Sequence, residues 1–227
     1  MDVQVNRIST GSEVLDDLLK GGLEKGVITN VYGESGTGKT NFCVQVGAEV
    51  AKNGKVAYID TEGGFSPERD AQIGGEDILD NFVMKDPVEF RQQEEAINQL
   101  DALVEQEDIE LVVVDSAVAL YRLKVNGDNA QEINQKLSNQ LSELSKIART
   151  HDIPVILTNQ VYTSFDEEDL ELVGRDVPTY WSKCLLNMSQ DPRKIKIAKH
   201  RSLPKGRSRT FKITDKGLEE GEQSGLF

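Results

Sequence analysis

Four short stretches carry the residues that could do chemistry. Gly33-Glu34-Ser35-Gly36-Thr37-Gly38-Lys39-Thr40 has the spacing G-x-x-x-x-G-K-[ST]. The glycines at 33, 36 and 38 let backbone amides close around phosphate oxygens, and a helix starting at Lys39 adds the positive end of its dipole. Lys39 supplies a point charge to the β- and γ-phosphates, and the Thr40 hydroxyl is placed to ligate Mg²⁺. The bland alternative, a glycine turn capping an ordinary helix, is disfavoured because the match lies between an apolar strand and a helix. Leu111-Val112-Val113-Val114-Asp115-Ser116 ends an apolar run on a carboxylate. Asp115 can hold a water of the Mg²⁺ opposite Thr40, although alone it would equally suit a turn cap. Tyr58-Ile59-Asp60-Thr61-Glu62 puts Glu62 just past a strand end, at the edge where open α/β sheets bind ligands. Glu62 is therefore the general-base candidate, with Asp60 as the competing choice and a plain surface carboxylate as the structural alternative. Thr158-Asn159-Gln160 ends a later strand at the same edge, so the Gln160 amide can sense a γ-phosphate and pass its state to the loop that follows.

These stretches need a parallel sheet to bring them together. Val14, Leu15, Leu18 and Leu19 recur at helical spacing, so residues 10–19 read as a short opening helix capped by Thr10 or Ser12 and stopped by Gly21-Gly22. Val27 to Tyr32 reads as a strand, Lys39 to Lys52 as a helix ended by Asn53-Gly54, and Val56 to Asp60 as the next strand. Phe90 to Glu105 reads as a helix leading into Ile109 to Val114, a β-branched run suited to burial on both faces. Ala130 to Thr150 and Ile153 to Thr158 repeat the alternation, which means an α/β fold with a parallel sheet. Leu185 to Met188, Lys194 to Lys199 and Arg207 to Ile213 read as short strands with no helix between them, an antiparallel edge on that sheet, and the tail after Gly217 as frayed.

The chain has 227 residues, 39 acidic and 26 basic, for a formal charge of −13, and is 37% hydrophobic. One domain of this length buries about 70% of its unfolded surface and needs no disulfide or metal to hold a core. Cys43 and Cys184 fit packing in a reducing cytoplasm. The first residues lack a basic start followed by an apolar block, and the clean apolar runs, such as Leu111 to Val114, are far short of the roughly 18 residues of a membrane span. Secretion and membrane insertion are thereby disfavoured, and His151 and His200 alone cannot make an HExxH hydrolase. The charge is segregated: Arg193 to Lys212 holds nine basic residues and no acid, leaving 39 acids against 17 bases elsewhere. Such a block is either a solvated face or an electrostatic contact.

The chain resembles the ATPase core of the RecA/RadA recombinase family over nearly its whole length. The resemblance is carried by Ile8-Ser9-Thr10-Gly11-Ser12 with Leu15-Asp16 and Gly21-Gly22, by the glycine loop, by Tyr58 to Arg69, by Val114-Asp115-Ser116 with Ala119-Leu120-Tyr121-Arg122, and by Thr158-Asn159-Gln160-Val161. It implies a RecA-like ATPase fold with ATP and Mg²⁺ as cofactors, Glu62 as the catalytic glutamate, Gln160 as the nucleotide sensor and Arg69 packed on the adenine ring. It also implies that the residues after Tyr121 and those from Tyr162 to Pro178 match the two DNA-binding loops.

The departures from that family sharpen the expectation. The ATPase core starts at residue 1, without the N-terminal helical DNA-binding domain and docking linker of full recombinases, so no filament held by such a linker is expected. The second loop carries Asp166, Glu167, Glu168, Asp169, Glu171 and Asp176 against the single basic Arg175, and six carboxylates repel a phosphate backbone, which disfavours strand exchange by the chain itself. Lys199-His200-Arg201 replaces an acidic nucleotide cap; similar elements in bacterial RecA-like and KaiC-like ATPases reach the γ-phosphate on a neighbouring subunit, so Lys199 and Arg201 are carried over as trans fingers. Arg122, Lys124, Lys194, Lys196, Lys205, Arg207 and Arg209, with Lys212, are the expected contacts to DNA, salt-sensitive and not sequence-specific. The function expected is a slow, cytoplasmic Mg²⁺-dependent ATPase, able to form a homo-oligomer, that binds DNA and assists a main recombinase of RadA type in recombination and repair. The alternatives are a nucleotide-controlled adaptor that regulates a recombinase without needing hydrolysis, and a KaiC-like signalling ATPase.

Overall fold

The computed structural model describes residues 5–163, 170–174 and 176–221. In chain order the elements are β1 (Arg7–Ile8), α1 (Glu13–Leu19), β2 (Leu23–Glu24), β3 (Ile28–Gly33), α2 (Lys39–Ala51), β4 (Lys55–Asp60), α3 (Pro67–Gly74), β5 (Phe82–Lys85), α4 (Phe90–Asn98), α5 (Leu100–Glu107), β6 (Ile109–Asp115), α6 (Ala119–Lys124), α7 (Ala130–His151), β7 (Val155–Thr163), β8 (Leu170–Leu172), α8 (Asp176–Trp181), β9 (Cys184–Gln190), β10 (Arg193–His200), β11 (Ser208–Thr214) and β12 (Gly217–Glu220). The main sheet runs β12-β11-β10-β9-β3-β7-β6-β4-β5, with β8 hydrogen-bonded to β7.

The continuous apolar runs follow from burial on two faces. In β6, Leu111 and Val113 join one core with Leu15, Leu18, Phe42 and Val46 of α1 and α2. Val112 and Val114 join the other, against Ile97, Leu100, Leu137 and Leu144 of α4, α5 and α7. The period of two sends alternate side chains to opposite layers, both apolar.

Register sets every strand end on one edge. Gly33 of β3 is level with Gln160 of β7, and Asp60 of β4 with Asp115 of β6. The C-terminal ends of four parallel strands thus bring together the four stretches singled out from the sequence. The last part of the sheet is more mixed than expected: β9 pairs in parallel with β3, and only β10, β11 and β12 continue antiparallel. Gly217–Glu220 is a strand paired to β11, not a frayed tail, because Leu218 is buried and its N–H donates to Gln45 Oε1 at 3.0 Å.

The opening helix is also capped differently. Ser12 occupies the N-cap of α1, yet its hydroxyl donates to the Leu218 carbonyl. Asp16 organises the preceding turn instead, accepting from the Thr10 N–H at 2.8 Å and the Thr10 hydroxyl at 2.7 Å. The helix stops at Lys20, in the left-handed region at φ 55°, one residue before Gly21. Phe90 to Glu105 divides into α4 and α5 at Gln99, whose φ of −85° and ψ of −13° keep the chain near helical.

Candidate nucleotide site and basic surface

The glycine loop turns off β3 straight into α2. Gly33 has no room for a side chain, since a Cβ there would lie 2.2 Å from the Met188 carbonyl oxygen of β9. Close approach of a neighbouring strand, not of phosphate, is what requires glycine at this position. Gly38 sits at φ 105° at the N-cap of α2, a conformation that L side chains rarely adopt. Thr37 closes the loop by donating its hydroxyl to the Glu34 carbonyl at 2.9 Å. Lys39 Nζ folds back onto the Gly33 and Glu34 carbonyls at 3.0 and 2.8 Å. Burial lowers the Lys39 ammonium below its ordinary pKa, while the Asp115 and Glu62 carboxylates oppose the shift.

The loop lines a cleft of about 310 Å³ that also takes in Thr40, Glu62, Asp115 and Gln160. A larger cavity of about 880 Å³ lies among Lys25, Asn53, Glu107 and His151. It touches none of the four chemical stretches, so volume alone is a poor guide to the site. Asp115 is buried and fixed by two hydroxyls: Tyr58 donates to Oδ2 at 3.1 Å, and Thr158 donates to Oδ1. Burial and the Asp115 carboxylate push the Tyr58 phenol well above its ordinary pKa, so it stays a donor.

Glu62 and Asp60 differ in what they have free. Asp60 accepts from the Glu62 and Gly63 N–H groups at 3.0 and 2.8 Å and from Phe65 N–H at 2.8 Å. Its lone pairs shape the loop that carries Glu62. Among the described residues, Glu62 Oε1 accepts only from Gln160 Nε2, at 2.9 Å, and it faces the cleft. Gln160 Oε1 in turn accepts from Arg122 Nη1 at 2.9 Å. Arg69 stands beside the cleft, its guanidinium fixed by Asn41 Oδ1 at 3.1 Å and by the Thr214 carbonyl.

Arg193 was not singled out within the basic run. It stands at the start of β10, donates to the Gly36 and Thr37 carbonyls at 3.2 and 3.3 Å, and lines the cleft. The signal was the Asp191-Pro192 turn just before it, which returns β10 beside the loop end of β9. Tyr58 and Thr158 were also missed as supports of Asp115. Both belong to quoted motifs, but only the register shows that their hydroxyls converge.

The structure divides the basic segment, so it is not one patch. Lys194 and Lys196 are exposed on β10 opposite Thr210 and Ser208, on the same sheet face as exposed Lys212. Lys205 is exposed in the following turn. Arg207 and Arg209 instead turn to Asp17 of α1, with the Arg209 Nε at 2.6 Å from Oδ2 and Arg207 Nη2 at 3.3 Å from Oδ1. Lys124 is exposed at the end of α6, while Arg122, in the same turn, is tied to Gln160. Lys199 Nζ donates to the Thr179 and Ser182 carbonyls at 2.8 and 2.9 Å. Burial, and then Lys183, lower its ammonium pKa. Arg201 pairs with buried Glu24, which also accepts from Arg7 at 2.9 Å and the Ser202 hydroxyl at 2.8 Å. Burial raises the Glu24 pKa, but Ser202, Arg201 and His200 together hold it below its ordinary value.

Lys199 and Arg201 lie at the sheet edge opposite their own glycine loop. His200 is level with Cys184 and Arg193 with Gln190, and β10 spans about 20 Å between these ends. Of the acidic second loop, Asp166, Glu167, Glu168, Asp169 and Arg175 lie outside the described residues. The loop's base is pinned, since Val173 N–H donates to the Gln160 carbonyl at 3.0 Å and Asn159 Nδ2 to the Val173 carbonyl at 3.1 Å. No helix among the described residues is long and apolar enough to cross a membrane.

A parallel core sheet between helical layers, with a glycine loop opening onto an aspartate and a glutamate at adjacent strand ends, is the construction of the RecA-like fold. Comparison with known proteins narrows this class. The family model described as Rad51 matches residues 2–221, and the chain belongs to that family. It is similar to the DNA repair and recombination protein RadB of Methanobrevibacter smithii, 39% identical over 226 residues covering 94% of this chain and 95% of that protein. It is also similar to RadB of Pyrococcus furiosus, 42% identical over 222 residues covering 94% and 95%. A solved crystal structure of the RadB recombinase superposes with a TM-score of 0.80 at 38% identity, covering 95% of this chain and 100% of that one.

Proposed function

We propose that the chain, as one ATPase domain, is a slow Mg²⁺-dependent ATPase that binds DNA and assists a main recombinase of RadA type in recombination and repair. One observation carries the hydrolytic part: Glu62 and Gln160 meet at 2.9 Å across the cleft from the glycine loop. A carboxylate held beside an amide, where a γ-phosphate would lie, suits the orientation and deprotonation of water. The donor set fits the cofactors. Gly33 to Thr40 present loop amides and Lys39 to phosphates, with Arg193 adding a second positive charge, and Arg69 stands where a purine can pack. Thr40 and Asp115 offer hard oxygen ligands or water partners for Mg²⁺, which neutralises phosphate charge when bound.

DNA contact is assigned to Lys124, Lys194, Lys196 and Lys205, with Arg122 treated separately below. Arg207 and Arg209 contribute less, because Asp17 holds both and offsets one of their two charges. Lys199 and Arg201, on the far edge, suit action on the nucleotide of a second copy, which requires their release from Thr179, Ser182 and Glu24. The adaptor reading is favoured by one observation, that Lys39, Glu62 and Gln160 are all engaged by groups of their own chain. A cytoplasmic location agrees with these assignments.

The test is ATP turnover with Mg²⁺, titrated in protein concentration, with and without single-stranded DNA at low salt. Turnover that rises with concentration, and no longer rises in Lys199→Ala, supports the assembled ATPase. ATP binding with a turnover that neither variable changes transfers the assignment to the adaptor.

A further inference from the structure

We infer that Arg122 is a positioning residue that holds the Gln160 amide against Glu62 and releases it when a nucleic-acid phosphate takes the guanidinium. The inference rests on the DNA-binding reading above and assigns Arg122 a second role within it.

Three side chains, from α6, from β7 and from the loop after β4, form a relay. Arg122 Nη1 donates to Gln160 Oε1 at 2.9 Å, and Gln160 Nε2 donates to Glu62 Oε1 at 2.9 Å. Only one orientation of the amide serves both neighbours. Turned over, it would set its NH₂ against the guanidinium and its oxygen against the carboxylate. Arg122 therefore decides which end of Gln160 faces the cleft, and so what occupies the Glu62 oxygen that would otherwise be free for water.

Arg122 is poorly matched to its present partner. Arg7, Arg201, Arg207 and Arg209 pair with Glu24 or Asp17. Arg122 is exposed and, among the described residues, has no carboxylate partner, only the neutral amide oxygen. A phosphate accepts two parallel hydrogen bonds from a guanidinium and carries charge as well, so it competes well with an amide. The approach is open. Arg122 lines a cavity of about 710 Å³ between Tyr121, Asn126, Val173 and Val177, while Gln160 and Glu62 line the nucleotide cleft. The Arg122–Gln160 bond thus links the linings of the two spaces. Exposed Lys124, in the same helical turn, lines a neighbouring cavity, and Asp176 is the other charged residue of the one that Arg122 lines.

The consequence is reciprocal. If a phosphate on Arg122 frees Gln160, a nucleotide that draws Gln160 away frees Arg122, and each ligand favours the other by the same factor.

The test is a double-mutant cycle on binding of a labelled single-stranded oligonucleotide, at low salt and without nucleotide. Gln160→Ala removes the competitor for Arg122 and should tighten binding by roughly three- to tenfold, the net range of one ordinary hydrogen bond at an exposed site. In an Arg122→Met background the same change should do nothing, and Arg122→Lys should restore part of the effect. Inorganic phosphate that displaces the oligonucleotide from wild type more readily than from Arg122→Met locates the contact at the guanidinium. Oligonucleotide binding that Gln160→Ala changes by the same factor with and without Arg122, or in neither background, overturns the relay while leaving DNA binding intact. A wild-type protein that binds no oligonucleotide overturns the DNA reading and the relay with it.

Discussion

Asp70 offers the sharpest energetic test of the architecture around the cleft. It lies on α3 one residue after Arg69, is fully buried, and among the described residues no other residue hydrogen-bonds either carboxylate oxygen. Burial raises its pKa to about 7 against the opposing pull of its own N–H and of Arg69. In the unfolded chain an aspartate titrates near pH 4. Below that, the group is protonated in both states and costs nothing. Between about pH 4 and 7 the unfolded chain releases a proton that the folded chain keeps, so folding stability falls as pH rises, and above 7 the loss is complete. Three pH units at about 1.4 kcal/mol each set a ceiling of about 4 kcal/mol. Asp70→Leu removes the titration and the desolvation cost together. The urea midpoint of Asp70→Leu and wild type should be measured from pH 4.5 to 8, since subtraction cancels every other carboxylate. The variant should gain on wild type steadily with pH, reaching an advantage of about 2–4 kcal/mol by pH 8. A difference that stays constant across this range would show that Asp70 is ionised and partnered, and would refute its burial without a partner in α3.

Other substitutions separate the assignments at the site. Glu62→Gln should lower ATP turnover by at least about 100-fold, in the range of a lost general base, with ATP affinity retained in a binding titration. Tyr58→Phe removes one of the two hydroxyls on Asp115 and should raise the Mg²⁺ concentration for half-maximal turnover by roughly three- to tenfold. Replacing Lys194 and Lys196 by Ala should reduce the slope of log affinity against log salt by about 1.4 for single strands, at about 0.7 per phosphate contact. The same replacement at Arg207 and Arg209, paired with Asp17, should change that slope by less than half as much.

Most of the fold was legible because its signals are local. Val112-Val113-Val114 is apolar at every position since both sheet faces are covered, and the glycine loop lies between such a strand and α2. What escaped the sequence depends on pairs distant along the chain. Nothing near Gly217 announces a strand; it forms because Gln45 of α2 offers its side chain to Leu218. Arg193 looked like one more cation in a basic run, and only the β9–β10 register brings it to the glycine loop. The run itself misled, because a linear count of charge takes no account of Asp17 and Glu24, some 190 and 177 positions away from Arg207 and Arg201. Sequence could nominate both Asp60 and Glu62. The choice rests on three backbone N–H groups that occupy the Asp60 oxygens and leave Glu62 facing the cleft.

The state described is one in which each group assigned to hydrolysis has a partner within the chain. Lys39 is held by loop carbonyls, Glu62 by Gln160, Gln160 by Arg122, Lys199 by the carbonyls of Thr179 and Ser182, and Arg201 by Glu24. On the proposed reading each bond breaks before its group acts and is replaced by a bond to a ligand: Lys39 to a nucleotide, Arg122 to a nucleic-acid phosphate, Lys199 and Arg201 to the nucleotide on another copy. On that reading the nucleotide and the nucleic acid are coupled through shared side chains, with Gln160 between them, rather than through a long-range change of shape. A second copy would act from the far sheet edge, with β10 joining both ends, since Arg193 reaches the glycine loop and Lys199 the opposite edge. Exposed Lys194 and Lys196 lie on the same strand between them. With a group for the glycine loop at one end of β10 and the groups proposed to reach a second copy at the other, turnover is expected to rise on assembly, the result that the titration in protein concentration reads.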